Sequence, residues 1–228
     1  MLTKERVFEI MGEFYGNAHY ESAIRLGISE HDLALETEFL DAVNGLGYHF
    51  DQTYCLQSVE DTRFPPIVLA YFNRFESKRY QLGMLNTIRF HSYAPVVPQL
   101  ISIYKNTQDC DIRDRISQDL LQIGSKKYAS EYLEIVNQEQ YGKTPDFMIE
   151  LLCKLKVDAV KPKLLSLINQ EKDSRMWTFW SQTFLKNVHV FKDPSLIPYV
   201  QPYLMAEDAE LRELAKKAMK KLEAMPQN

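Results

Sequence analysis

The sequence has few of the residues that mark loop-rich, disulfide-linked or membrane-spanning proteins. Only 8 of its 228 residues are glycine, which disfavours a β architecture with many tight turns. Its 3 cysteines, Cys55, Cys110 and Cys153, are isolated and include no CxxC pair, so we expect buried free thiols in a reducing compartment. No apolar run approaches the roughly 18 residues of a membrane span. We therefore expect a cytoplasmic protein without a membrane segment.

Catalytic signatures are also missing from the sequence. It contains no GxSxG, no P-loop and no GxGxxG, and its 5 histidines form no HxH or HExxH. Paired carboxylates are frequent, but we expect none of them to stand in an apolar setting that would raise its pKa. The sequence therefore predicts no catalytic, cofactor-binding or metal-binding residues, no cofactor, and no enzymatic activity.

Charge is distributed unevenly along the chain. Residues 1–76 carry 13 acidic and 5 basic side chains, whereas residues 77–228 carry 18 acidic and 22 basic ones. An acidic first third would suit a basic partner, as in an immunity or inhibitor protein, and solvated helix faces explain the same charge. Both interpretations stay open on the sequence alone.

Apolar residues recur at fixed offsets from anchor positions about 32 residues apart. The anchors are Pro66, Pro98, Ser130, Pro162 and Pro198. Six offsets (−14, −10, −2, +2, +5 and +6) are apolar at all of the last four anchors, where about one such column is expected by chance. Three of these columns are Met84, Ile116, Met148 and Phe184; Ile88, Leu120, Leu152 and Val188; and Leu100, Tyr132, Leu164 and Val200.

These offsets describe one face of each of two successive α-helices. Because a lone helical hairpin cannot bury both of its apolar faces, the copies must stack on one another. The sequence thus predicts one α-solenoid domain over residues 1–228. We expect irregular N-terminal helices or a cap at 1–50, repeats at 51–204 and a C-terminal capping helix at 205–228.

Local signals place several helix ends. Thr3 and Ser29 are candidate N-caps, and Gly124 is the expected end of a first helix. We expect the N-terminal helix to bury the face that contains Val7, Ile10, Met11 and Phe14. Pro202, four residues after an anchor proline, should bend or shorten the helix that contains it.

The stretch DCDIRDRISQDLLQIG (residues 109–124) has the carboxylate density of a metal site. It overlays the tail, with Asp208 on Asp109 and Arg212 on Arg113, as expected of first helices with acids near their N-terminal ends. An EF-hand fails, because Arg113 and Asp114 occupy the places of a ligand and the glycine. We therefore expect helix caps here.

The segment DIRDRISQDLLQIGSKKYASEYL (residues 111–133) resembles the short HEAT-like repeats of the HEAT and armadillo type. The shared pattern is an Asp, an aliphatic–Arg pair, spaced apolar positions and a Gly before the second helix. The resemblance is partial at Ser77–Ile103, Phe147–Leu167 and Gln182–Leu204, and strong again in the last helix. It implies a right-handed α-α superhelix that acts as a protein–protein interaction scaffold or adaptor.

In HEAT-like proteins the second helices line the inner curved surface. On this basis the candidate partner-binding residues are Glu131, Glu134, Lys163 and Tyr199. Their surface is polar and mixed in charge, with too few Lys and Arg for a nucleic-acid partner. Trp177 lies off the repeat columns, and partner contact and simple packing both explain it.

The same resemblance leaves an enzymatic alternative open. Some HEAT-like proteins are DNA-alkylation repair glycosylases, and others attach bilin chromophores. Trp177, Trp180, Asp173 and Arg175 supply the residue types that the glycosylases use, without the surrounding basic field. We expect a protein partner, without contact with a membrane.

Overall fold

The computed structural model describes residues 2–142, 145–170 and 175–224, without the side chains of residues 170 and 175–177. All regular structure in these ranges is helical, and they contain no strand. The all-α prediction is therefore confirmed. The chain forms two compact units that divide after Ser125. Within the described ranges, no helix combines the length and the apolar character needed to traverse a lipid bilayer.

The first unit is built from six α-helices: α1 (Lys4–Leu26), α2 (Glu30–Asn44), α3 (Phe64–Phe72), α4 (Lys78–Leu85), α5 (Val97–Asn106) and α6 (Cys110–Ile123). The described part of the second unit contains α7 (Ala129–Val136), α8 (Asp146–Lys154), α9 (Lys161–Gln170), α10 (Arg175–Asn187), α11 (Ile197–Val200) and α12 (Ala209–Glu223). Short 3-10 segments precede or follow many of them, including Thr53–Ser58, His91–Val96, Val188–Phe191 and Gln201–Met205. In each copy the −14 offset lies on a first helix (α4, α6, α8 or α10).

Three of the six repeat columns lie wholly in the core. Every residue of the −14, −10 and +2 columns is at most 1% exposed. Trp180, Phe184 and Phe191, which fall in register with the columns, are buried as well. The periodicity therefore predicted the burial of these residues, whereas the other columns include half-buried ones, Ile103, Tyr128, Leu167 and Leu204.

Equivalent positions of neighbouring copies contact each other. The Arg89 guanidinium donates to the Gln57 carbonyl at 2.7 Å, and the two residues are 32 apart. The same separation recurs in three further contacts: Asp61 N–H to Tyr93 Oη at 3.0 Å, His91 Nδ1 to Ile123 O at 2.6 Å, and Lys221 Nζ to His189 Nε2 at 3.1 Å. First helices also contact first helices, α4 with α6, α8 with α10 and α10 with α12. Within each unit, contacts thus join residues and helices at equivalent offsets of the repeat.

One offset of the repeat adopts a left-handed backbone. Six residues before their anchors, Gly124, Lys156 and Lys192 have φ of 65°, 61° and 50°. Each follows a first helix or its 3-10 extension, where a left-handed residue lets the last turn close. The helix end at Lys156 is a Schellman motif, because the Val157 N–H donates back to the Leu152 carbonyl at 3.0 Å. Only Gly124 has the side-chain-free backbone that this conformation favours.

Several predicted helix ends are confirmed. Thr3 and Ser29 accept hydrogen bonds from the third residue after each, at 3.2 and 3.0 Å. Gly124 ends α6. Pro202 interrupts its helix as predicted, since α11 is only 4 residues long and continues as a 3-10 segment.

Two expectations about burial are wrong. Phe14 is 58% exposed, because Gly12 has a φ of 72° that breaks the register of α1 and turns Tyr15 inward instead. The three thiols are free, but only Cys153 is buried. Cys110 is exposed, since it is the first residue of α6 and lies outside that helix's apolar face.

Replacing the two left-handed lysines with glycine should stabilise the fold. We expect Lys156→Gly and Lys192→Gly each to raise the free energy of unfolding by about 0.5 to 1 kcal/mol, because glycine removes the steric cost of a positive φ. Urea denaturation followed by circular dichroism measures the change. The control is Lys216→Gly in the interior of α12, which should lower the same free energy by about 1 kcal/mol. Equal destabilisation by all three variants would contradict the left-handed assignment.

Candidate functional site

The aspartate-rich stretch at residues 109–124 is structural. Asp109 caps α6 by accepting from the amides of Asp111 and Ile112, at 2.9 and 3.2 Å. The Asp111 carboxylate pairs with Lys78. Asp114 accepts from the side chain of Gln118 at 2.8 Å. Lys78 also pairs with Asp109, at 2.9 Å, so these three carboxylates are engaged in a helix cap and in contacts with side chains. No described group of three or more His, Cys, Asp or Glu is arranged to hold a metal ion.

The overlay of this stretch on the tail is confirmed in atomic detail. Asp208 caps α12 through the amides of Glu210 and Leu211, at 2.7 and 3.1 Å. The Arg113 guanidinium donates to the Thr107 carbonyl, two residues before its cap, at 2.5 Å. Arg212 does the same to the Ala206 carbonyl at 2.5 Å. The Asp–Arg spacing is thus a device that fixes the approach of the chain to a first helix.

Asp119, the fourth carboxylate of the stretch, corrects the expectation that no carboxylate has a raised pKa. Its side chain is fully buried on α6, which contacts α4 and α5 at once. Burial raises the pKa of Asp119 to about 7, although Arg115 Nε donates to it at 3.0 Å. The burial of Asp119 was not predicted, because the repeat columns mark only one apolar stripe of α6, whereas the helix packs against neighbours on two sides.

The predicted partner-binding residues are distributed over several helices of the second unit. Glu131 and Glu134 lie on α7, Lys163 on α9 and Tyr199 on α11, so these four are on second helices as expected. We call them the second-helix surface. Trp177 belongs to α10, and its side chain lies outside the described residues, as does Asp173.

The side chains of the second-helix surface are available to different degrees. Glu134 is exposed, Glu131 and Lys163 are half-buried, and Tyr199 is 38% exposed. Glu131 accepts from the Ser130 hydroxyl at 2.8 Å, and Glu134 from the Gln138 amide at 3.1 Å. These are local contacts that a partner can displace.

Tyr199 borders a groove of about 350 Å³ between α9 and the α11 segment. The lining is mainly apolar and aromatic: Ile168, Asn169, Pro198, Tyr199, Pro202, Tyr203 and Ala206. The side chain of Tyr203 is fixed from behind, since Ser181 donates to its hydroxyl at 3.0 Å. An apolar depression therefore lies beside the polar second-helix surface.

A larger pocket, of about 510 Å³, lies in the first unit and was not predicted. We call it the N-terminal pocket. Its walls come from α1, α2, the Thr53–Ser58 segment and α4. They include Ala23, Leu26, Ile28, Tyr54 and Gly83 on the sides, with His19, Glu36, Thr53, Tyr80 and Arg79 as the main polar groups.

A hydrogen-bond network forms the floor of the N-terminal pocket around Glu36. This carboxylate is 1% exposed and accepts from Thr53 Oγ1 at 2.8 Å and from Tyr80 Oη at 2.5 Å. The His19 ring lies against it, with Nδ1 at 3.6 Å, while His19 Nε2 is 2.9 Å from the Asp51 carbonyl. Because a carbonyl only accepts, His19 Nε2 must carry a proton.

The sequence did contain a signal for this pocket. Glu36 lies three residues after Leu33 and four before Leu40, so an acid occupies the apolar stripe of α2. A carboxylate at such a position requires buried donors. The donors come from segments 17 and 44 residues later in the chain, and no local pattern identifies them.

Comparison of the chain with protein-family models, with curated proteins and with solved structures finds no match in any of the three. The repeat and its surfaces therefore have to be interpreted from the residues and contacts described above.

Asp119 should make the stability of the fold depend on pH. Between about pH 4 and pH 7 the folded protein holds the Asp119 proton while the unfolded chain has released it. Stability therefore falls as the pH rises through this window, by up to about 1.4 kcal/mol per unit. Asp119→Asn removes this titration. We expect the free energy of unfolding of the variant, relative to the natural protein, to increase from pH 5 to pH 8.

Urea denaturation at four pH values between 5 and 8 measures this difference. Gln122→Asn, an exposed and uncharged change on the same helix, is the control and should give a curve parallel to that of the natural protein. Parallel curves for Asp119→Asn as well would show that Asp119 is ionised in the folded protein.

Proposed function

We propose that this protein is a non-enzymatic interaction scaffold of the HEAT-like type. The observation that supports this proposal is that equivalent parts of the repeat contact each other. Residues 32 apart form hydrogen bonds, and successive first helices are in contact. Stacked helical hairpins bury one face of every helix against their neighbours and present the remaining faces as an extended array. Such an array provides a binding surface without a catalytic centre.

The second-helix surface is the part of this array that we assign to a protein partner. Its charged residues are on successive second helices, and Glu131 and Glu134 each accept a hydrogen bond from a side chain nearby in sequence. Tyr199 adds a large, partly exposed aromatic ring next to an apolar groove. Rigid aromatic anchors surrounded by polar groups carry much of the binding energy in protein interfaces.

The proposal also covers the architecture: the copies follow one another in a right-handed α-α superhelix. A repeat of two helices with side-by-side copies is the arrangement from which such superhelices are built. The mixed charge of the second-helix surface favours a protein over a nucleic acid, because phosphate binding needs clustered Lys and Arg. Trp180, which the glycosylase alternative needs in an open cleft, is 1% exposed.

Charge reversal on the second-helix surface should remove the partner. We expect the triple variant Glu131→Lys, Glu134→Lys, Lys163→Glu to capture the partner of the natural protein at least about tenfold less well. Tyr199→Ala should have a loss of similar size if the ring is an anchor. Capture from native lysate, with each recovered protein quantified by mass spectrometry for bait and variants, measures both effects.

The control exchanges the exposed ion pair of α12, as Glu213→Lys with Lys216→Glu. This variant reverses charges on α12, which corresponds to a first helix of the repeat, and should capture the same partner as the natural protein. A partner that the triple variant still captures in full would exclude the second-helix surface. Because this exchange leaves the net charge unchanged, a partner lost equally from the control would mean that capture does not depend specifically on the second-helix surface.

A further inference from the structure

We propose that the N-terminal pocket binds an organic cation, an ammonium group carried on an apolar or aromatic body. The pocket uses none of the residues of the second-helix surface, so this function is separate from partner binding. Its volume of about 510 Å³ falls in the range of pockets that bind small molecules. Three features of its structure specify the ligand: the acceptors of its floor, the charge behind them, and the missing side chain at Gly83.

The floor presents hydrogen-bond acceptors to the cavity. Thr53 and Tyr80 direct their hydroxyl protons at the Glu36 carboxylate, so the lone pairs that remain on Thr53 Oγ1 and Tyr80 Oη can only accept. His19 has committed its Nε2 proton to the Asp51 carbonyl. A ligand that reaches this floor must therefore donate, and an ammonium group brings up to three donors.

The charge behind these acceptors is negative. Glu36 and Asp32 are one helical turn apart on α2, and each is 1% exposed. The His19 ring, with Nδ1 3.6 Å from the Glu36 carboxylate, is a cationic partner of Glu36 when both of its ring nitrogens carry protons. Asp32 accepts from the amides of Glu76 and Ser77, at 2.9 Å each. Amide and hydroxyl donors carry no charge, so among these neighbours only a protonated His19 offsets one of the two carboxylates. Buried anions in this arrangement favour a cation close by.

Arg79 also borders the pocket, but it lies at the exposed rim. Water screens its charge there, while the field of the buried carboxylates is screened much less. Burial and the charges of Glu36 and Asp32 raise the pKa of Tyr80 well above its usual value, against a smaller opposing effect of Arg79.

Gly83 leaves one wall of the pocket open. It lies inside α4, where glycine costs about 1 kcal/mol relative to alanine. A Cβ added to it would meet no atom within 4 Å, so packing does not require the glycine. The same offset in the later copies holds Arg115, Phe147 and Thr183. A glycine that is unnecessary for the fold and borders a cavity is typical of close approach by a ligand.

The remaining walls suit the apolar body of such a ligand. Ala23, Leu26 and Ile28 form one side, and Tyr54, which is 62% exposed, stands at the opening. Aromatic faces attract ammonium groups and stack on apolar rings. The pocket thus offers a polar, acceptor-lined end and an apolar, aromatic end.

A matched series of three probes tests the charge preference: 4-phenylbutylamine, 4-phenylbutanol and 4-phenylbutyrate. They share one body and differ in the charge of the head group. Titration of the natural protein, followed by the amide signals of Ala23, Thr53 and Gly83 in nuclear magnetic resonance spectra, gives a dissociation constant for each. We expect the amine to bind at least about tenfold more tightly than the alcohol, as for a charge-assisted over a neutral hydrogen bond. The carboxylate should bind most weakly.

Filling the cavity at Gly83 tests its location. Gly83→Leu should abolish amine binding, measured at Ala23 and Thr53, while circular dichroism shows an intact fold that unfolds no earlier, because leucine favours the helix. Gly83→Ala, the matched control for helix stability, fills far less space and should retain binding within a few-fold. The proposal is wrong if the alcohol or the carboxylate binds as tightly as the amine. Unchanged amine binding in a folded Gly83→Leu would equally overturn it.

Discussion

The structure depends on a helix pair that cannot shield its own apolar faces from water. Leu120, Leu152 and Val188 stand at one offset of three copies, and each is fully buried. Neighbouring helices supply that burial, and residues 32 apart, such as Gln57 and Arg89, contact each other. The remaining features modify this plan: left-handed helix ends, Asp–Arg caps and a buried carboxylate.

The periodic part of the fold could be predicted from the sequence. Apolar columns identified the helices and the core, and short patterns identified caps such as Thr3 and Ser29, because these depend on spacing along one helix. Phe14 was misplaced because a single positive φ at Gly12 changed the register of α1, and no spacing rule contains that angle. Asp119 was misjudged because its burial depends on a second helix that packs against α6.

The candidate sites divide in the same way. The second-helix surface was identified from the expected direction of the second helices, and its four residues do lie on them. The N-terminal pocket was missed, because its floor joins Glu36 to donors at Thr53 and Tyr80 that are distant in sequence. The acid in the apolar stripe of α2 indicated a buried hydrogen-bond network, but it did not indicate which residues are the donors. The repeated pattern therefore allowed the second helices to be predicted, whereas the pocket depends on contacts that the pattern does not contain.

Contacts between nearest copies also determine how such a chain loses its structure. Each copy is held by the ones beside it, so within a unit an end copy has one neighbour to leave while an inner copy has two. The Lys221–His189 contact, for example, joins α12 to the copy before it. Unfolding of this unit would then progress copy by copy. The cooperativity of unfolding would then depend on the contacts at each junction between copies.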